Sequence, residues 1–509
     1  MTGLLMSLMV SQGLWAKTYG GAGNDYFYSV DKTSDGGLVA VGKPYSFGGD
    51  PMVFKLSTSG DVQWTRVYDI GDIVYLNSVI QTSEGGYIAT GENTYPSPGS
   101  VLLLRQDALG NLLWIKSYGT TEPSNGRSII QTADGGFAVV GEVGYATSGN
   151  YLDVLVLKFS SAGVLEWART FGGADYEYGR SIVQTTDNGF AIVGWTGALG
   201  PQPCSLLVVK LDASGGLVWA RSFRFPGAPP LRDMGYSITK TSDGGLAIAG
   251  KTWITYDGGL TYYWDLLVFK LDATGGLLWA RRLGEPGLDE SGYSLIQTSD
   301  GGLVVGGNLD SSAVKSNFLL VKLDASGTLL WSRRFSGGYT AMTAGSIVET
   351  MDGGLAIGGH VWGGAGAYDL LVLKTDGNGN YPGCVNDWTP TVVNVSPNIA
   401  SLSGWAVRTL TPTEQNPPLT TPSLTVMDVC PPVAQKELGE SPHVSGITCS
   451  LVPGATIFLS PVEIPVSIYA PDGRLVYSGK LMKGQTRIPL EPGVYLWRAG
   501  TYKGKAVVR

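Results

Sequence analysis

The stretch TSDGGLAIAGKT, Thr241 to Thr252, recurs along the chain as TSDGGLVAVGKP from Thr33, TSEGGYIATGEN from Thr82, TADGGFAVVGEV from Thr132, TTDNGFAIVGWT from Thr185, TSDGGLVVGGNL from Thr298 and TMDGGLAIGGHV from Thr350. The acid of these seven copies falls at Asp35, Glu84, Asp134, Asp187, Asp243, Asp300 and Asp352, about 50 to 57 residues apart, a period that belongs to repeat architectures. Gly supplies the positive φ of a hairpin turn and Asp accepts nearby backbone N–H groups. The motif therefore reads as one turn built seven times, not as seven reactive sites.

Each turn joins two β-rich runs, such as RSIIQT (Arg127–Thr132) and GFAVVG (Gly136–Gly141). A second pair follows, as in LLVFKLD and LLWARRL around the turn Asp272-Ala-Thr-Gly275. Four strands per repeat and seven repeats predict an all-β, seven-bladed β-propeller over residues 14–383. Trp64, Trp114, Trp167, Trp219, Trp279 and Trp331 each open a Trp-x-Arg/Lys strand, but the seventh repeat ends LLVLKTDGNGNYPGC without one. The missing strand stands at the other end, in GLWAKTYGG around Trp15. Pairing it with Asp369–Asp376 is expected to complete the last blade and leave no open seam.

Bulk properties narrow the function. The chain has 509 residues, 43% hydrophobic and 15% charged, with 74 Gly and 25 Tyr, a composition suited to short strands and tight turns. A net charge of -7 and no basic run give no footprint for phosphates, so nucleic acid is excluded as a partner. No apolar stretch approaches the roughly 20 residues that span a bilayer, so no integral membrane segment is expected. Residues 1–13, MTGLLMSLMVSQG, read either as the remnant of a signal peptide without its positive region or as an apolar edge strand.

Catalytic constellations are scarce. The only histidines are His360 and His443, and no nucleophile elbow, zinc-protease helix or phosphate loop occurs. The Asp-Gly-Gly turn partly resembles the Asp box of sialidase propellers, but lacks its closing aromatic and the arginine cluster, Tyr nucleophile and paired acid of that chemistry. DGNGN at Asp376, Asn378 and Asn380 imitates the start of a calcium loop, yet it aligns with the LDASG turns of the other repeats and has no distal Glu. No catalytic residue, metal ligand or cofactor is expected. The repeated Trp-x-Arg, with Lys270 opposite Trp279 and Arg281, reads as a packing and cation–π ladder between blades.

Variation between repeats is more informative. The second-to-third loops differ sharply in length and bring Tyr45, Phe47, Tyr95, Tyr145, Trp195, Trp253, Tyr262, Trp264, Trp362 and Tyr368 to one rim. Loops on a rigid scaffold are where binding concentrates, and Tyr and Trp suit a sugar or a protein surface. The competing reading is that these rings only cover blade edges.

Residues 384–445 are rich in Pro, Thr and Ser and predict an extended arm without its own core. Cys384 and Cys430 bracket much of it and are candidates for a disulfide clasp. With Cys204 and Cys449 the four cysteines allow three connectivities. Residues 446–509 alternate apolar and polar positions and predict a small C-terminal β-sandwich with a hairpin at Asp472-Gly473. Ile468-Tyr469, Gly473-Arg474, Gly493-Val494-Tyr495 and the ending Lys505–Arg509 resemble the C-terminal sorting domains of type IX secretion cargo, although LVPGATIFLS stands where those domains open on Asn-Pro. The repeats likewise resemble those of secreted bacterial propellers. The resemblance implies export and a place outside the cell or on its surface. The expectation is a non-enzymatic extracellular structural or adhesive protein, self-associating into filaments or layers or binding a surface polysaccharide or protein. The alternative is a secreted carbohydrate-binding or carbohydrate-active propeller.

Overall fold

A computed structural model describes residues 13–381 apart from short loop segments, the strands between 385 and 428, and the strands between 448 and 508. No helix occurs among them. Seven antiparallel sheets follow one another along the chain, the first made of Asp25–Lys32, Leu38–Pro44, Met52–Leu56 and Val62–Val67. The chain is a seven-bladed β-propeller, as its repeats predict. Second and third strands are buried over nearly their whole length and mostly apolar, because each blade is covered on both faces by its neighbours. Ile88, Val101 and Leu103 of the second blade, for example, pack with Ile129, Phe137, Leu155 and Phe159 of the third.

The last blade closes as expected. Trp15–Gly20 lies antiparallel beside Tyr368–Thr375, with Trp15 opposite Lys374 and Tyr19 opposite Leu370. Three repeated devices then join blade to blade. Each outer-strand Trp covers the positive-φ Gly of the next blade's second turn, a position where a Cβ would strike the indole: Trp279 over Gly327, Trp331 over Gly379 and, across the closure, Trp15 over Gly60. Inner-strand serines accept backbone N–H groups of the following blade, as Ser237 does from Leu295 at 3.0 Å and Ser294 from Ile347 at 3.1 Å. Inner-strand Gln81, Gln131, Gln184 and Gln297 accept from the Asp-Gly-Gly turn of the preceding blade, at 2.6 to 2.8 Å.

The turn itself is architecture. Asp243 Oδ1 accepts from Thr241 Oγ1 at 2.5 Å and from the Gly245 N–H at 3.1 Å, while Gly244 takes φ of 82°. Its other oxygen receives Lys270 Nζ at 2.5 Å. Lys270 does lie opposite Trp279 in the ladder, but its ammonium belongs to this turn and not to the indole. The cation–π partner of Trp279 is Arg281, 5.3 Å from the ring, which also donates to the Gly327 and Ser326 carbonyls of the next blade. In the second blade both partners change together, Glu84 for Asp and Arg105 for Lys, and the pair persists at 3.3 Å. The Asp376 carboxylate is likewise turned onto its own loop, accepting from the Asn378 and Asn380 N–H groups at 2.9 and 2.8 Å.

The Pro/Thr-rich arm has short strands and a defined course. Val385–Asp387, Thr391–Asn394, Asn398–Ser401 and Ala406–Thr409 each add a fifth strand to the sixth, fifth, fourth and third blades in turn, and Thr425–Asp428 adds one to the seventh. Outer strands otherwise present unpaired backbone groups, and the arm satisfies them. Cys384 and Cys430 lie outside the described residues. Cys204 is a buried free thiol. By its contacts the chain divides at Val433/Ala434, and the C-terminal unit contains two antiparallel sheets, of three and four strands.

Candidate ligand-binding face

In every blade the pairing of the first two strands slips by one residue at the same place. The extra residue is Tyr28, Asn77, Arg127, Arg180, Tyr236, Tyr293 or Gly345, and a bulge re-aims such a residue out of the ladder. The constant Gly of each second strand makes room for it: a Cβ on Gly194 would lie 1.6 Å from the Tyr178 carbonyl oxygen, and one on Gly141 1.8 Å from that of Asn125. The residue after that Gly varies from blade to blade as Lys43, Glu92, Glu142, Trp195, Lys251, Asn308 and His360. Constant residues thus build a ring of bulges, and variable ones line it on the face that carries the long loops. Sequence reasoning overlooked this ring. Its signal was there: the residue before the repeated inner-strand Ser reads Tyr, Asn, Arg, Arg, Tyr, Tyr, Gly while that Ser holds constant.

The aromatic residues expected on the rim fall into sectors instead of one continuous band. In the first, Tyr45 is 50% exposed and Trp362 39%; Tyr26 lies between Tyr45 and Tyr368, and Trp362 meets Tyr368 edge-on at 4.9 Å. His360 sits between Tyr26 and Tyr368, and burial pushes its pKa down to about 4, which keeps it neutral at ordinary pH. Lys43 lies over Tyr75 at 3.8 Å. In the second sector Trp253 and Trp264 stack at 5.1 Å, Tyr262 packs edge-on against Trp253 and is 37% exposed, and Arg232 and Lys251 cover the two indoles at 4.2 Å each. Trp195 departs from expectation. It is 6% exposed, clamped between Tyr178 and Tyr236, so it supports the ring and does not itself form a platform. Phe47 and Tyr95 lie outside the described residues; Tyr145 ends the strand Phe137–Tyr145, and its side chain is likewise outside them.

Between these sectors the ring is charged. Glu142, buried to 1% of its side chain, receives Arg127 Nε at 2.9 Å and stands 3.7 Å from Arg180 Nη1. The Arg180 guanidinium lies 4.5 Å over Trp195 and 5.6 Å over Tyr178, and burial lowers its pKa. Glu92, the equivalent of Glu142 one blade earlier, is raised by burial, with Arg127 opposing and Glu142 adding.

A different set of carboxylates occupies the seams between blades. Gly172 leaves space that Asp153 and Glu177 fill, and burial raises Glu177 to about 7 although it accepts from the Gly173 N–H and Thr196 hydroxyl. Gly284 does the same for Asp265, which receives Arg282 at 3.1 Å and the Tyr256 hydroxyl at 2.7 Å. Burial raises Asp265 to about 6, and burial plus Asp265 raises Glu290 to about 9. Gly20 faces Asp25 and Asp369 in the same way.

No family model matches the sequence, and no curated protein is similar to it. Among solved structures the chain is similar to Sqt1 from Chaetomium thermophilum, at 12% identity over 73% of this chain and 88% of that one, with a TM-score of 0.41. It is also similar to a Penicillium chrysogenum α-L-arabinanase complexed with arabinobiose, at 11% identity over 71% and 97% with a TM-score of 0.40. A Bombyx mori GH32 β-fructofuranosidase stands at 10% identity over 74% and 91%, with a TM-score of 0.27. Likeness this distant carries no argument about activity.

Proposed function

We propose that this protein is an extracellular adhesive propeller that binds a surface polysaccharide through its aromatic face, and that it acts by binding and not by catalysis. The observation that carries the reading is the Trp253–Trp264 stack with exposed Tyr262 beside it. Its rings are held by Arg232 and Lys251, which fixes their orientation before any ligand arrives. The exposed Tyr262 ring, with the indole edges beside it, is a pre-ordered aromatic surface that suits the apolar face of a sugar ring, because little side-chain freedom is lost on binding. The C-terminal unit then serves export, as the sorting-domain resemblance implies. A glycan array tests the reading: binding that survives in the intact protein and is lost in Trp264→Ala with an unchanged fold supports it. An array with no retained glycan would sink it, and release of reducing sugar would make the propeller carbohydrate-active.

Self-association into filaments is a second reading. One observation favours it: among the described residues the outer strands of the first two blades, Val62–Val67 and Leu112–Tyr118, have no fifth strand. Such edges accept an extended segment from a neighbour. Electron microscopy and intact mass of the native material distinguish ordered filaments of full-length chain from dispersed rings.

A further inference from the structure

Four enclosed polar atoms without a hydrogen-bond partner belong to one sector of the bulge ring: Asn125 Oδ1, Glu142 Oε1, Tyr178 OH and Arg180 Nε. The four residues are linked. Asn125 is opposite Glu142 in the ladder, Glu142 holds Arg127 and Arg180, and Arg180 lies over Tyr178. Buried polar groups are nearly always paired, and a cluster left open needs a reason. The two arginine side chains are 31% and 24% exposed. They come from adjacent blades and both face the buried Glu142 carboxylate. Arg180 lies over the Trp195 ring at 4.5 Å, which restricts where its donor fork can point. Planar forks of this kind match carboxylates in two-point contacts. The unpaired oxygens of Asn125 and Tyr178 in the same sector suit hydroxyl groups, which both donate and accept.

We propose that this sector is a subsite for an acidic sugar, a uronate residue, with Arg127 and Arg180 donating to its carboxylate and Asn125 and Tyr178 meeting its neighbouring hydroxyls. The subsite rests on the glycan-binding reading for the source of its ligand, but uses residues distinct from the Trp253–Trp264 platform.

Calorimetric titration of the full-length protein with trigalacturonate, with a neutral trisaccharide and with inorganic sulfate tests it. Trigalacturonate is expected to bind more tightly than the neutral sugar. Arg180→Gln should weaken it by about 10- to 100-fold, the range of a lost charge-assisted hydrogen bond. Tyr178→Phe keeps the ring stack, so it is the variant that tests the site without disturbing the fold; a loss of about 3- to 10-fold is expected. Neither variant should change binding of the neutral sugar. Uronate affinity unchanged in both variants overturns the subsite, as does sulfate binding as tightly as the uronate, which would mark a general anion site. Binding of the neutral sugar alone, lost in Trp264→Ala, refutes the subsite and leaves the platform standing. No binding of any sugar refutes both.

Discussion

Removing Trp15 asks whether the ring is held shut by its first described strand. The indole is 7% exposed, covers Gly60 of the first blade, and donates Nε1–H to the Thr58 carbonyl at 2.8 Å. Truncating a buried Trp to Ala costs about 3–5 kcal/mol, with the lost hydrogen bond included in that range. Tyr19 stays in place after Trp15→Ala, its hydroxyl donating to the Gly60 carbonyl at 2.7 Å, so the blade should remain assembled but weakened. Deleting the chain through Gly20 is a larger change. It removes Trp15, Ala16 and fully buried Tyr19 together, uncovering Leu370 and Val372, which pack with the two aromatics, and Leu371 and Leu373, which pack with Ala16. Two large aromatics at that rate give about 6–10 kcal/mol, comparable with the whole stability of an ordinary domain. Urea unfolding followed by far-ultraviolet circular dichroism should show Trp15→Ala shifted to lower urea with its slope unchanged, and the truncated protein unfolded or open in water. A truncated protein that melts with the intact one would refute the closure.

Stability should peak in mild acid. Glu177 and Asp233 sit at about 7 and Asp265 and Asp369 at about 6, all raised chiefly by burial. With unfolded carboxylates near about 4, the native state holds more protons across this window, so stability falls as pH rises from about 4 to about 7 and Glu290 extends the loss toward 9. Asp243 and Asp300, held at about 2 first by Lys270 and Lys322, contribute stability above about 4 that is lost as pH falls through 2. Melting temperatures that climb between about pH 5 and pH 8 would contradict the seam carboxylates as described. Gly194→Ala places a methyl 1.6 Å from a carbonyl at the bulge and should cost about 3 kcal/mol or more, as backbone conflicts do, read by urea midpoint. Asp243→Asn leaves the Lys270 side chain, 6% exposed, without its carboxylate and should lower stability by about 1–3 kcal/mol. Because Glu84 and Arg105 make the same pair in the second blade, Asp243→Glu with Lys270→Arg should recover most of that loss, whereas an equal loss in the double variant would show the two sites to be unlike.

Much of the fold was legible because a propeller repeats one local solution. The Asp-Gly-Gly turn, the alternating runs and the Trp-x-Arg strand each announce themselves seven times or nearly so, and the orphan Trp15 strand has only one blade left to complete. The arm was legible as extended and coreless, but not as a series of fifth strands, since nothing in a Pro/Thr-rich composition says which edge it will meet. The rim was legible and the bulge ring inside it was not. Long loops draw attention to the rim, yet Trp195 there is buried, while Arg127, Arg180 and Glu142 stand in strands whose repeat pattern hides them.

The physical division is between short-range and long-range geometry. Turn chemistry and the two-residue period of a strand act over a few neighbouring residues, so the sequence alone determined four strands per repeat, seven repeats and the missing outer strand. Only the closed ring brings residues some fifty positions apart to one carboxylate, as Arg127 and Arg180 come to Glu142, and only there does burial between blades set the charge state of Glu177 or Glu290. Desolvation and charge proximity are properties of the assembled surface, and no stretch of this chain carries them by itself.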